Sequence, residues 1–81
     1  MNDLDLVTAF ERGTLTAFPH RDHVRVAWIL LEREGFDEAV IAMTGGIRRM
    51  AMAAGLLSKY HETRTIAWMR LINDARTEPF E

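Results

Sequence analysis

His20 and His23 stand three residues apart at the head of an apolar run, PHRDHVRVAWILL from Pro19 to Leu31, and His61 opens another in Lys59-Tyr60-His61-Glu62-Thr63. An i,i+3 spacing on a helix projects both rings from one face. A third ring from a neighbouring helix would complete a chelate, with Glu62 or Asp22 as a carboxylate ligand or as the partner that orients one. That set of His20, His23 and His61 suits a divalent transition metal such as zinc, nickel or iron. A coordination position left to water would make it a reaction centre. Two other uses fit the same residues. Without metal, Asp22 or Glu62 can orient an imidazole for acid–base work, although no nucleophile stands out and no loop could cover a substrate. Alternatively, the rings are partly buried and hydrogen-bonded to Tyr60, Thr65, a carboxylate or main-chain carbonyls. They would then fix how helix ends meet and line a small-ligand pocket. Spacing alone does not choose among these readings.

The elements that must position the rings are helical, and no strand pattern competes with them. Asn2 or Asp3 can cap a first helix, whose inward side is Leu6, Val7 and Phe10 and which Gly13 ends. Thr14 to Phe18 is a short connection. Pro19 suits the first position of a second helix running to about Glu34, with Asp22 complementing the positive end of its dipole. Asp37 is the expected cap of a third helix, which continues to about Ala54 with Gly45-Gly46 inside it. Two interior glycines cost roughly 1–2 kcal/mol together, so a kink or a close helix approach is expected there. Ser58 is the expected cap of a fourth helix that runs to about Ala75. Arg76–Glu81, with Pro79, reads as a frayed tail.

Helical wheels sharpen the expectation. On the second helix Val24, Val26, Ala27, Trp28, Leu30 and Leu31 share a broad arc that includes His20 and His23, opposite Arg21, Asp22, Arg25, Glu32 and Arg33. On the fourth, Thr65, Ala67, Trp68, Leu71 and Ile72 form the apolar side with His61 in its middle. The third is apolar through Ala39, Val40, Met43, Ile47, Met50 and Ala54. If the second and fourth helices both run antiparallel to the third, their histidine-bearing starts meet at one end. Ile29, Ile41, Met52 and Ile66 stray from these faces, which in so small a chain points to a partner surface.

Bulk properties limit the function classes. The chain has 81 residues, no cysteine, a formal charge of −2 and 48% hydrophobic residues. This length suits a single all-α domain over 1–81, a four-helix, bundle-like fold whose modest core is completed by forming a homodimer or larger homo-oligomer. Disulfides and thiolate chemistry are excluded. The charge gives no field for nucleic acid or an acidic membrane, and no signal peptide or membrane span is visible, so a cytoplasmic, bacterial-type protein is expected. Several tempting strings fail. His20-Arg21-Asp22 lacks the rest of a kinase, His61-Glu62-Thr63-Arg64-Thr65 lacks the second zincin histidine, and Gly45-Gly46 lacks a P-loop lysine. Arg48-Arg49 beside Arg33 could touch phosphate, yet the negative balance argues against a helix-turn-helix role.

The segments HRDHVRVAWILL, KYHET and AWMRL together resemble a family of small, uncharacterised, all-helical bacterial proteins. Its members carry an HxxH-x-R-x-AW segment followed by a KYHET segment. The resemblance covers roughly Phe10 to Ala75 and implies that His20, His23, Tyr60, His61 and Glu62 belong to one constellation. It implies no activity. Family members are longer, with a further helical C-terminal part, so a pocket closed by that part would here be open or closed by a second subunit. The candidate binding set is therefore His20, His23, Tyr60, His61, Glu62 and Trp28. The expected function is binding of a small ligand or metal ion by a homo-oligomer. The competing expectation is a protein–protein interaction module with architectural histidines.

Overall fold

A computed structural model describes residues 2–77, and the chain there folds into four helices joined by short connections. Helix α1, Asp3–Arg12, starts where the Asn2 side chain accepts a hydrogen bond from the Asp5 amide at 2.8 Å. It stops at Gly13, whose left-handed φ of 72° turns the chain so that its amide meets carbonyls of the last turn. Helix α2 is His20–Glu34, with Pro19 one residue ahead of it in extended geometry rather than inside the first turn. The Pro19 carbonyl accepts from the amides of Asp22 and His23. Helix α3, Phe36–Ala53, follows after the single residue Gly35, at φ 81°. Asp37 consequently lies within the first turn of α3 instead of capping it. A 3₁₀ turn at Leu57–Lys59 takes the place expected for a Ser58 cap, and α4 begins only at Glu62, running to Thr77. The frayed tail expected from Arg76 is helical through Thr77; its remainder, 78–81, lies outside the described residues.

Contacts at the two ends of the helices fix their sense. Arg25 on α2 pairs with Asp3 and Arg33 with Glu11, start to start and end to end, so α1 and α2 point the same way. Residues 13–19 must therefore run back alongside α1, where Leu15, Thr16 and Ala17 share a surface depression with Leu6. His20, first residue of α2, touches Trp68 in the first half of α4, and Glu32 pairs with Arg76 near the ends of both, which makes these two parallel as well. The one-residue link at Gly35 returns α3 antiparallel to both.

The core is Leu6, Val7, Phe10, Val26, Ala27, Leu30, Leu31, Ala39, Met43 and Met69. The inward sides expected for α1, α2 and α3 are those that pack, with His20 and Trp28 on α2 and Ala54 at the end of α3 left exposed. Ile29 packs on the core from its edge, whereas Ile41 and Met52 are exposed, as their stray positions implied. Helix α4 differs from expectation. Its only fully buried residue among those described is Met69, with Thr65, Ile66, Ile72, Asn73 and Arg76 partly covered, while Ala67, Trp68 and Leu71 face outward. The helix is rolled relative to the wheel because its apolar residues surround much of the axis and select no single face. Packing against α2 and α3 decides the matter in favour of flexible Met69, which fills irregular space.

Phe10 explains the glycine pair. Gly46 is buried, and a Cβ there would overlap the tip of the Phe10 ring, whereas one on Gly45 would meet only the end of the Arg49 side chain at 3.5 Å. The close approach is real at Gly46 alone.

Candidate functional site

The Phe10 ring starts an aromatic column that leads from the core to the surface. Phe18 stacks on Phe10 at 5.1 Å between centroids, and His23 lies against Phe18 at 4.1 Å. His20 follows at 6.3 Å from His23, and its ring meets the edge of Trp68 at 5.0 Å. Three segments supply this column: the end of α1, the connection before Pro19 and the start of α2. Trp68 of α4 closes it.

Beside the column, a cleft of about 240 Å³ opens between α2, α3 and α4. Its floor is apolar, from Val24, Ala27, Met43, Ile47, Met69 and Ile72. Its polar rim is His20, His23, Arg64 and Thr65, with Trp68 alongside. A second, shallower cavity of about 400 Å³ adjoins it and shares His23, Ile47, Arg64 and Thr65. Phe18, Met50, Leu56, Lys59, Tyr60 and His61 belong to this outer part. His23 and Arg64 thus stand where the two join.

The electrostatics of His23 follow from this placement. Half-buried, and facing His20, its ring is held below the ordinary imidazole range, while a hydrogen bond to the Phe18 main chain and the nearby Asp22 charge pull weakly the other way. Desolvation pushes the Tyr60 phenol up. Its hydroxyl donates to the Thr44 carbonyl at 3.4 Å, tying the segment before α4 to the middle of α3.

The expected residues separate into those the fold gathers and those it does not. His20 and His23 line the inner cleft, and Tyr60 and His61 the outer cavity. Trp28 and Glu62 belong to the lining of neither, and Asp22 turns toward Arg25 at 3.3 Å on the α1 side. Among the described residues no group of three or more His, Asp or Glu side chains stands close enough to hold a metal ion. The expected ligand set of His20, His23 and His61 is therefore not assembled. His61 precedes the first turn of α4, and the roll of that helix leaves it exposed at the outer rim. Thr65, expected as a partner of the rings, lines both cavities, whereas Arg64 and Met69 were missed as site residues. Met69 could have been found from the spacing 65, 69, 72 along α4, which competed with the more apolar face of Trp68 and Leu71; Arg64, in register with that second face, gave no signal.

No family model, curated protein or solved structure matches this chain.

Proposed function

We propose that this protein binds a small organic molecule in the cleft between α2, α3 and α4. The observation that carries the reading is the cleft itself, with an apolar floor, a rim of two imidazoles, one guanidinium and one hydroxyl, and an aromatic ring at its mouth. Small-molecule sites have this make-up, mostly apolar walls with few convergent polar groups. Its volume of about 240 Å³ suits an occupant of modest size. Binding is favoured over catalysis because the lining residues include no carboxylate to orient an imidazole and no activated nucleophile.

A neutral probe tests this. Octan-1-ol should bind saturably, read by calorimetry and by a change in Trp68 emission. Ile72→Trp, which places a large ring across the floor, should remove that binding while the helical circular dichroism persists. Binding that survives Ile72→Trp would place the probe elsewhere and refute the cleft as the site.

Self-association is the second reading. Trp68 and Leu71, three residues apart on one face of α4, are 47% and 60% exposed, and Ile41 on α3 is 65% exposed. A pair of this size left open to water on one helical face is the kind of surface a second copy covers.

A further inference from the structure

The site is one-sided in charge. The inner cleft is lined by His20, His23 and Arg64, and the outer cavity adds Lys59 and His61. Neither lining contains an aspartate or glutamate, although such residues outnumber Lys and Arg in the chain, 12 to 10. Five described carboxylates are engaged elsewhere, Asp3 and Asp22 with Arg25, Glu11 and Glu34 with Arg33, Glu32 with Arg76, whereas Glu62 lies outside both linings but close enough for its charge to act on Tyr60. Arg64 makes no ion pair with a described carboxylate, and it borders both cavities. Arg64 is exposed, so its attraction for an anion is that of a surface guanidinium and is weakened by salt. Its planar fork matches the paired oxygens of a carboxylate or phosphate.

We propose that the ligand of this cleft is an amphipathic anion. Its apolar chain lies among Ala27, Met43, Met69 and Ile72, and its carboxylate or phosphate head sits at Arg64, where the two cavities join. His23 and Thr65 border the head on the inner side. Lys59, exposed on the outer rim, attracts it from solution. This assignment rests on the cleft-binding reading above and adds the charge of the occupant to it.

The test holds chain length constant and varies the head. Octanoate, octyl phosphate, octan-1-ol and octylamine are titrated into the full chain at low salt. At least one of the two anions should bind about tenfold tighter than the alcohol, with the amine weakest. Whichever anion gains more identifies the head group. In Arg64→Gln the ratio of anion to alcohol affinity should fall toward unity, and added salt should reduce it in the native chain. Equal affinity for octanoate, octyl phosphate and octanol in the native chain would overturn the anion assignment but leave the cleft as a binding site. An anion preference undiminished by Arg64→Gln would likewise overturn it. Failure of all four probes to bind would overturn both readings.

Discussion

At His23 the ring is pressed against Phe18 on one side and faces His20 on the other. Burial favours its neutral form, so the folded state holds a proton less tightly than the unfolded chain, whose ordinary value is 6.5. The stability linked to this group is therefore complete above that value. It is lost as pH falls from there through the lowered folded value, because only the unfolded chain gains the proton readily. Denaturant midpoints measured from neutral to mildly acidic pH should fall more steeply for the native chain than for His23→Phe, which keeps a ring against Phe18 and cannot titrate. Parallel slopes for the two would show that another group carries the acid sensitivity. The chemistry of this residue was visible in the HxxH spacing. Its contact with Phe18 was not, because the two rings meet only in the folded chain.

Among the elements, α3 offers an internal control in its adjacent glycines. An alanine at Gly46 drives a methyl into the Phe10 ring, which is only 1% exposed and stacked on Phe18. Gly46→Ala should lower stability by about 1–3 kcal/mol, as overpacking usually does. Gly45→Ala meets no more than the end of a flexible arginine and removes a poor helix former, so it should raise stability by up to about 1 kcal/mol. Denaturant unfolding of both variants checks the pair, and shifts of the same sign would contradict the packing assigned to Phe10. Because Phe10 supports Phe18 and Phe18 supports His23, Gly46→Ala should also weaken binding in the cleft. The sequence shows two glycines inside a helical pattern but does not say which one meets a ring. Helix α4 has the same kind of ambiguity. Its apolar residues fit two faces, and only the shape offered by α2 and α3 selects Met69 over Trp68.

For the molecule as a whole, that selection has a consequence at the surface. Rolling α4 inward on Met69 leaves Trp68 and Leu71 exposed, and Trp28, Ile41 and Leu4 are exposed elsewhere. With a formal charge of −2, self-repulsion between copies is weak. Sedimentation over a wide concentration range should show reversible self-association, and Leu71→Lys should shift it toward the monomer. A native chain that stays monomeric throughout would remove the second reading. No helix among the described residues is long and apolar enough to cross a membrane. At the opposite end from the histidines, Arg76 pairs with Glu32 at 3.2 Å and holds the last turns of α4 against α2.

Helix number, most of the breaks between helices and the inward sides of α1, α2 and α3 follow from local pattern. Glycines placed where the chain must turn and apolar residues at helical spacing act over a few residues and can be read one segment at a time. The Asn2 cap and the stop at Gly13 are of this kind. The resting place of each imidazole is not, because it depends on how one helix rolls against two others. Local periodicity could not set that roll in α4, where apolar side chains point several ways. In the folded chain His61 stands at the outer rim rather than beside His20, and Arg64, on the Trp68 side of α4, borders the cleft while Glu62 does not. A mixed set of metal ligands became an apolar cleft under positive charge, because the energy that orients α4 comes from burying Met69 and Ile72 and not from the residues at its start.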